Sequence, residues 1–410
     1  MSPSANWQTE ASCDWPGGPA AQPLKIALLC DWFYPRWGGL EQHLLDLARE
    51  LTGRGHEVHI VTAIPGPSEL EGLRVFRLAG LRFPYFDFLC SLSPFRQLSD
   101  LLAKEKYDLV HVHASYVSPL AWGGAFLSQR ASIPTVFTFH SRLFGFRFVL
   151  AAANLLFRWW RWNMEFSAVS SVVAQELEPL VRSPMAILPT GIDARYWKAV
   201  PLSDGHQGPI VIVSVMRFGP RKRGTALVRM FAELKRQLLP GGPQVRLVII
   251  GEGRLRWEIE AAVAHNRLQE DVVLTGHLSH DAIREAFASS DIFVLPSRVE
   301  SFGTAALEAR CAGLPIVAHA EGGVRSFVCH GIEGLLAGTD EGMVACLLRL
   351  VRDEPLRRSI REHNCATWPD FDWATVAAQH ENAYRRTIAS TRGEPSPADR
   401  DKGTAYDAGR

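Results

Sequence analysis

The chain alternates short apolar runs with amphipathic segments, and this alternation most constrains its fold. KIALLC (25–30) is an apolar run typical of a buried parallel strand. A glycine loop at Gly38-Gly39 follows, and EQHLLDLARELTGRG then has the apolar spacing of a helix. EVHIVTA (57–63) is the next apolar run. This order predicts a βαβ unit, whose parallel sheet must be covered by helices.

The same alternation continues along the chain in two series. The first series adds the apolar runs DLVHVHA, PTVFTFH and MAILPTG. The second series follows a linker at 201–209 and has five apolar runs, at 210–216, 244–251, 271–276, 291–296 and 315–320, with helical stretches at 224–239, 254–266, 279–289 and 304–312. We therefore expect an α/β fold of two doubly wound, Rossmann-like domains facing each other across a cleft. Ligands should bind at the carboxyl ends of the strands.

The expected domain boundaries follow from this alternation and from local composition. Residues 1–22 and 391–410 have the composition of a disordered leader and tail. We expect one domain over residues 23–200 and a second over residues 205–371. A helix over residues 372–390 is expected to cross back to the first domain.

Charge and cysteine content exclude several classes of protein. The 44 basic and 43 acidic residues leave a formal net charge of +1, which argues against nucleic-acid binding through bulk positive charge. The seven cysteines are widely spaced and none forms a CxxC pair, so we expect neither a disulfide framework nor a zinc site. The sequence has no apolar run of ~18 residues and no secretory signal pattern. We therefore expect a location in the reducing cytoplasm.

A loop that leads into a predicted helix carries the strongest candidate site. In RVESFGTAALE the helix opens near Thr304, and its free N–H groups, which Gly303 lets a ligand approach, form an anion site. Glu308, one turn further on, can accept hydrogen bonds from ribose hydroxyls, while Glu300 faces the group that the phosphate carries. Taken alone, the two carboxylates would more simply complement the helix dipole and face solvent. The glycine loop and the nearby basic residues favour binding.

A basic loop follows the first strand of the second domain. MRFGPRKRG places Arg217 and Lys222 at the carboxyl end of that strand. An arginine fork and a lysine point charge there can neutralise a departing diphosphate. An exposed basic turn is the alternative, which the location disfavours for these two residues. Arg221 and Arg223 are expected to be solvated.

Together these motifs resemble the retaining glycosyltransferase family 4, which has the two-domain GT-B architecture. The matching motifs run in order within residues 24–390: Gly38-Gly39-Leu-Glu41, Arg217 with Lys222, Gly251-Glu-Gly253, Glu300 with Glu308, and Ala312-Gly-Leu-Pro315 followed by Gly322-Gly323. The stretches DWFYPRWGGLEQHLLDLARELTGRGHEVHIVT and FTFHSRLFGF are similar to the catalytic subunit that transfers N-acetylglucosamine to phosphatidylinositol. The chain also resembles bacterial phosphatidylinositol mannosyltransferases.

The resemblance implies roles for individual residues. It makes residues 23–200 the acceptor side and residues 205–371 the nucleotide-sugar domain. The residues implied in catalysis are His140, Glu300, Arg217 and Lys222. The residues implied in nucleotide-sugar binding are Gly38, Gly39, Arg217, Lys222, Gly251, Leu278, Glu300, Ser301, Phe302, Gly303, Thr304 and Glu308.

The implied reaction moves a hexose from a UDP- or GDP-sugar to a hydroxyl of a lipid-linked or small glycoside acceptor, with retention of configuration. Arg217, Lys222 and the helix start at Thr304 would stabilise the leaving diphosphate, so no metal or other cofactor is expected. Two alternatives use the same cleft. One is a GT-B sugar-nucleotide epimerase or hydrolase, and the other is a catalytically silent sugar-nucleotide-binding subunit.

Two departures from the family pattern bear on donor preference. The family usually has Lys-Gly after the basic loop, whereas this chain has Lys222-Arg223-Gly224, and the extra residue can shift the loop. Arg325-Ser326 stand after the second glycine pair, where family members often carry Pro-Glu.

Two motifs are compatible with a metal-binding site, but another role is favoured for each. His111 and His113 face the same side of one strand, as half of a metal site would. With no companion ligand identified in the sequence, a core or cleft-lining role is favoured. Asp370-Phe-Asp372 is a DxD-like run before the last helix, and Asp372 is expected to be the N-cap of that helix.

An acid-free, aromatic and basic segment leaves two interpretations open. Leu109 to Met164 contains no Asp or Glu but several arginines, tryptophans and phenylalanines. Such composition suits peripheral contact with the inner membrane face through residues 142–162, or an anionic acceptor. A buried helix with arginines snorkelling at its rim is the equal alternative.

Overall fold

Two parallel sheets, each flanked by helices, organise the computed structural model of this chain. The structure describes residues 22–36, 38–81, 91–115, 118–142, 154–155, 158–159, 162–198 and 208–394. We term the sheet from the first half of the chain, with its helices, the N-terminal lobe, and the second sheet with its helices the C-terminal lobe. The expectation of an α/β fold with two doubly wound parallel sheets is confirmed.

The N-terminal sheet is built from short strands whose central members are almost fully buried. Its strands are β1 (Lys25–Cys30), β2 (Glu57–Thr62), β3 (Glu69–Leu70), β4 (Leu73–Arg77), β5 (Leu109–Ala114), β6 (Thr135–Phe139), β7 (Glu165–Ala168) and β8 (Ala186–Ile187). Within the described residues their order is β3-β4-β2-β1-β5-β6-β7-β8. All neighbours are parallel except β3 with β4.

Helices cover both faces of this sheet, as burial of its apolar strands requires. They are α1 (Gly39–Gly53), α2 (Ser93–Glu105), α3 (Pro119–Arg130), α4 (Ser171–Val181) and the short α5 (Ala194–Trp197). The buried Asp31 at the end of β1 accepts the backbone N–H groups of Leu120 and Ala121 at 2.9 and 3.0 Å. The carboxylate therefore caps α3 and fixes its start beside the end of β1.

The C-terminal sheet has the strand order of a dinucleotide-binding fold. Its strands are β9 (Ile210–Val215), β10 (Val245–Ile250), β11 (Val272–Gly276), β12 (Ile292–Leu295), β13 (Ile316–His319) and β14 (Gly334–Ala337). The order β11-β10-β9-β12-β13-β14 is parallel throughout. Its helices are α6 (Gly224–Gln237), α7 (Arg256–His265), α8 (His280–Ala288), α9 (Thr304–Cys311), α10 (Asp340–Arg352) and α11 (Glu354–Ala366).

The strand order reverses once in each sheet, and this reversal positions the site. In the C-terminal sheet the chain runs outward one way from β9 and the other way from β12, its neighbour. In the N-terminal sheet β1 and β5 are the corresponding pair. Loops diverge from the carboxyl ends of such a pair and leave a crevice between them, where ligands of α/β sheets bind.

The last helix, α12 (Trp373–Arg392), packs on the N-terminal lobe although it follows the C-terminal lobe in sequence. It lies against α1 and β6. Its Tyr384 is fully buried, and the phenol oxygen lies 2.8 Å from His111 Nδ1 on β5. Thr387 donates a hydrogen bond to Glu165 on β7 at 3.0 Å.

Several elements differ from the expected ones. The run 185–191 was expected to be a strand, but only Ala186–Ile187 is. Several observed elements have no counterpart in the sequence-based expectations: the hairpin β3–β4, strands β7 and β14, and helices α2, α3, α4, α5, α10 and α11. The last helix reaches Arg392, two residues into the expected tail. Residues 1–21, most of 142–162 and the linker at 199–207 lie outside the described residues.

Candidate active site

Loops from the two lobes meet in one gap, where most of the expected site residues lie. Lys222 Nζ is 2.7 Å from Glu300 Oε2. A Cβ atom on Gly38 would lie 3.2 Å from Arg217 Nη2, and one on Gly39 would lie 3.8 Å from Thr304 Oγ1. The glycine loop of the N-terminal lobe therefore faces both the basic loop and the start of α9. This is the convergence that binding of a diphosphate between the lobes requires.

The loops on both sides of this gap follow strands at which the strand order of a sheet reverses. Arg217 and Lys222 follow β9, whereas Glu300 and Thr304 follow its neighbour β12. The glycine loop likewise follows β1. Residues 83 positions apart in the chain, such as Arg217 and Glu300, thus reach one crevice because their strands are adjacent.

The loop before α9 ends at Gly303, where the backbone conformation requires glycine. Gly303 has φ +96°, and a Cβ there would lie 2.7 Å from Val324 Cγ2. The carbonyl of Gly303 accepts the amides of Ala306 and Leu307. Helix α9 therefore begins immediately after this turn, with its first-turn amides and the positive end of its dipole at the gap.

The second glycine pair, Gly322-Gly323, packs against the loop that contains Glu300 and Ser301. The amide of Gly323 donates to the carbonyl of Glu300 at 2.9 Å. A Cβ on Gly323 would lie 2.0 Å from the carbonyl oxygen of Ser301. The Gly-Gly motif therefore serves packing: only a residue without a side chain lets this segment approach the loop that holds Glu300.

Contacts from the N-terminal lobe also hold this loop. Ser170 donates to the carbonyl of Ser301 at 2.6 Å, and the amide of Arg142 donates to Ser301 Oγ at 3.1 Å. Arg142 also pairs with Glu176 at 3.1 Å. The lobes are therefore linked through Ser301, next to Glu300.

Phe302 contributes its backbone rather than its ring. The side chain is 4% exposed, and its ring centroid lies 5.5 Å from that of Phe327 and 5.4 Å from that of Phe371. The ring anchors the loop in the core between the lobes, so only the main chain of this residue can face the gap.

Gly251 and Gly253 position the basic loop. Gly251 has φ +137°, and a Cβ would lie 1.9 Å from the carbonyl oxygen of Met216. Gly253 approaches Phe218 in the same way. The two glycines therefore pack against the residues on either side of Arg217, so close backbone packing requires glycine at both positions of the motif Gly251-Glu-Gly253. Leu278, in the loop after β11, is half-buried against the core.

Arg223 corrects one expectation: it is not a solvated residue. It bonds Asp340 through two nitrogens, at 2.9 and 2.6 Å, and donates to the carbonyl of Pro296 at 3.0 Å. The residue has φ +58° and precedes α6. The extra residue relative to the family pattern is thus accommodated by a left-handed turn that this ion pair holds. The Arg223 guanidinium keeps the pKa of Asp340 low, at about 2.

Glu308 lies one turn into α9 and faces α1 of the other lobe. Burial, followed by the charge of Asp46 on α1, raises the pKa of Glu308 to about 8. None of the described residues donates a hydrogen bond to its carboxylate. A half-buried acid with unused acceptor capacity at the mouth of a cleft can take hydroxyl donors from a ligand.

His140 follows β6 and belongs to a group of imidazoles. Its Nε2 lies 2.9 Å from His113 Nδ1, and burial lowers the pKa of His140 to about 3. The ring of His43, on α1, lies 5.2 Å from that of His140. At neutral pH His140 is therefore uncharged and can exchange hydrogen bonds with a neutral sugar hydroxyl.

His111 and His113 are buried, as expected for a core role, and the structure adds companions to His113 that the sequence does not identify. His43 and His140 offer ligand atoms within 4.8 Å of one of its nitrogens. The sequence does not reveal this group, because α1, β5 and β6 bring these residues together only in the folded sheet. By contrast, the expectation for Asp372 is confirmed, since its carboxylate caps α12 by accepting the amide of Thr375 at 3.0 Å.

The segment 142–162 falls mostly outside the described residues. Among the residues described there, Trp159 is 5% exposed and stacks on Trp122 with a centroid distance of 3.8 Å, whereas Leu155 is exposed. Within the part of the chain that the structure describes, no helix has the length and apolar character needed to cross a bilayer.

Comparison with known proteins agrees with this geometry. The family model for glycosyltransferase family 4 matches residues 37–196, and the model for glycosyl transferases group 1 matches residues 203–365. The chain is 29% identical over 401 residues to the phosphatidylinositol N-acetylglucosaminyltransferase GPI3 subunit of Saccharomyces cerevisiae, covering 90% of this chain and 84% of that protein. It is 25% identical to the phosphatidyl-myo-inositol mannosyltransferase of Mycolicibacterium smegmatis, covering 88% of this chain and 93% of that protein.

Solved structures show the same fold. Anabaena Alr3699/HepE in complex with UDP and glucose matches with a TM-score of 0.71 at 21% identity, covering 87% of this chain and 98% of that chain. One family model matches within each half of the chain. The chain belongs to the glycosyltransferases of GT-B type, with a family 4 N-terminal region and a group 1 C-terminal region.

Proposed function

We propose that this glycosyltransferase moves a hexose from a nucleoside diphosphate to a hydroxyl of a lipid-linked acceptor and retains the anomeric configuration. The observation that carries the proposal is the meeting of Arg217, Lys222 and the start of α9 with the glycine loop in one gap between the lobes. A diphosphate is the ligand whose charge and size suit two cations and a helix N-terminus.

Stabilisation of the leaving diphosphate supplies most of the rate enhancement. Negative charge grows on the diphosphate as the bond to the anomeric carbon breaks. Arg217 and Lys222 lie where that charge develops, and the amides before Ala306 add the helix dipole. These groups take the part that a divalent cation has in other transferases, so the transfer needs no metal ion at the diphosphate.

Attack occurs on the face from which the diphosphate leaves. The acceptor oxygen forms a bond to the anomeric carbon, the bond from that carbon to the diphosphate oxygen breaks, and the acceptor proton passes to the departing diphosphate. Glu300 is engaged by Lys222 at 2.7 Å, which suits orientation of sugar hydroxyls better than covalent attack. His140, neutral at pH 7, orients the donor sugar from the N-terminal lobe.

The N-terminal lobe binds the acceptor and the C-terminal lobe binds the donor. An inositol phospholipid is the acceptor class we favour, because the relatives named above act on phosphatidylinositol according to their names. A uridine diphosphate sugar is the favoured donor, since the structural neighbour from Anabaena holds UDP. Such an acceptor places the protein at the cytoplasmic face of a membrane.

The test is transfer with defined substrates. Purified protein is incubated with UDP- and GDP-hexoses, with or without vesicles that contain phosphatidylinositol, and the product's anomeric configuration is read by NMR. A glycolipid product of the donor's configuration, formed only with acceptor, supports the proposal. An inverted product contradicts the retaining mechanism. Donor turnover that is the same without acceptor indicates an epimerase or hydrolase, and donor binding without turnover indicates a silent subunit.

A further inference from the structure

Five imidazoles pack together beneath the gap in the N-terminal lobe. We term them the histidine cluster: His43 on α1, His111 and His113 on β5, His140 after β6, and His380 on α12. Ring centroids are 3.9 Å apart for His111 and His113, 5.1 Å for His113 and His140, and 5.2 Å for His43 and His140. A structural core has no need of so many polar rings from four separate elements.

Two members of the histidine cluster already use nitrogens within the fold. His111 contacts Tyr384 OH through Nδ1 at 2.8 Å and Thr138 Oγ1 through Nε2 at 2.7 Å. His380 donates from Nδ1 to the carbonyl of Val376 at 2.8 Å. His111 is therefore fully engaged and cannot bind a ligand without losing these contacts.

Three members have nitrogens without a partner. Both nitrogens of His43, Nε2 of His113 and Nε2 of His380 are buried and have no hydrogen-bond partner in the described part of the chain. The exposed fractions of these side chains are 2%, 1% and 0%. A buried nitrogen left unsatisfied destabilises the fold, so four of them in one place indicate a missing ligand.

The distances suit a transition-metal ion. One nitrogen each of His43, His113 and His140 lie within 4.8 Å of one another. The contact between His113 Nδ1 and His140 Nε2 is 2.9 Å. Nitrogens on a tetrahedral zinc ion with bonds of ~2.0–2.1 Å lie roughly 3.3 Å apart, so modest side-chain rotations suffice to place an ion among the three.

The chemistry of the three donors selects the ion. An imidazole binds a metal ion through the lone pair of one ring nitrogen, and each of the three residues contributes one such nitrogen to the group. Neutral imidazoles favour Zn²⁺, Co²⁺, Ni²⁺ and Cu²⁺, whereas Mg²⁺ and Ca²⁺ require oxygen ligands.

We propose that His43, His113 and His140 form a binding site for a transition-metal ion such as zinc, with the fourth coordination position facing the gap. The ion takes the lone pairs of His113 Nδ1 and His140 Nε2, and the proton that they share moves to the other nitrogen of its ring or to solvent. It thereby withdraws His140 from the donor sugar, so zinc inhibits transfer. The inhibition rests on the role of His140 under Proposed function, whereas the binding does not.

Binding is tested on the tag-free, full-length protein after treatment with a chelator. Zn²⁺ is titrated by calorimetry, and Co²⁺ is titrated with the visible absorption band of tetrahedral cobalt as the readout. We expect one ion per chain and a cobalt band that zinc removes. Zinc should also raise the melting temperature, because it binds the folded state.

Variants assign the ligands. His43→Gln and His140→Gln should each weaken zinc binding by more than about 100-fold, since each removes a direct ligand. His265→Gln, at the exposed end of α7, is the control and should bind as the wild type does. His140 lies on a loop, so its variant stays informative if the variant at the buried His43 does not fold.

The binding measurements test the metal site without requiring transferase activity. Absence of a stoichiometric site, or binding unchanged in both ligand variants, overturns it. In an active preparation zinc should inhibit the wild type. Should the protein prove inactive with every donor, the cobalt spectrum and the calorimetry still decide whether the metal site exists.

Discussion

Lys222 Nζ donates to Glu300 Oε2 at 2.7 Å, joining the two loops that diverge from β9 and β12. Both side chains are partly exposed to the gap, with 36% and 12% of their surface accessible. The ion pair holds the lysine beside the position proposed for the diphosphate. When a donor binds, the lysine can turn to the phosphate while Glu300 stays within reach of the sugar.

Removal of this lysine should abolish most transfer without unfolding the protein. For Lys222→Ala we expect kcat/KM to fall about 100- to 1,000-fold, the usual cost of losing one donor to a developing oxyanion. Lys235→Ala is a matched control, because Lys235 also pairs with a carboxylate, that of Asp271, and its side chain is also 36% exposed. Steady-state kinetics and melting temperatures of both variants provide the measurement. Equal loss in the two variants would contradict the assignment.

A single methyl group on the glycine loop should weaken donor binding. In Gly38→Ala the new Cβ would lie 2.5 Å from Glu41 Oε2 and 3.2 Å from Arg217 Nη2, so both side chains must move. We expect donor affinity to fall by about 1–3 kcal/mol, read as Kd by calorimetry. Gly38 precedes α1, and Gly53 is the last residue of that helix. Because no atom lies within 4 Å of a Cβ on Gly53, Gly53→Ala should leave Kd unchanged. Unchanged donor affinity in Gly38→Ala would argue against contact across the gap.

Glu308 should make stability depend on pH. Its pKa is about 8 in the folded protein against an ordinary value of 4.5. As the pH rises, the unfolded chain therefore loses this proton at a lower pH than the folded protein does. The stability associated with the protonated carboxyl is full below pH 4.5 and is lost as pH rises through about 8. Glu308→Gln should therefore be more stable than the wild type at pH 8.5 by about 1–3 kcal/mol, and by little at pH 5. Urea unfolding at the two pH values measures this, and a difference that shrinks with rising pH would refute it.

Arg223 should matter for stability more than for chemistry. Its two contacts to Asp340 join the start of α6 to the start of α10, and neither side chain is more than 27% exposed. A double-mutant cycle of Arg223→Ala and Asp340→Asn should give a coupling free energy of about 1–3 kcal/mol in denaturant unfolding. The pair of Arg236 with Glu233 lies on the surface and should show little coupling. Absence of coupling at Arg223 would mean that solvent replaces the ion pair.

Periodicity predicts the core strands of both sheets well. β1, β2, β5, β9 and β12 lie within the expected runs because buried parallel strands are apolar throughout. The two-residue strands β3 and β8 carry too few residues for any period, and the pairing of each depends on the neighbouring strand. The sequence therefore predicts central strands better than edges.

The sequence alone determined the motif order, the βαβ alternation and the candidate residues Arg217, Lys222, Glu300 and Glu308, because these depend on local pattern and composition. Tertiary structure alone decided which of these residues meet, that Arg223 is held by Asp340, and that His43 and His140 join His113. The physical reason is that strand adjacency and helix packing bring together positions separated by tens to hundreds of residues, and local periodicity contains no information about that pairing.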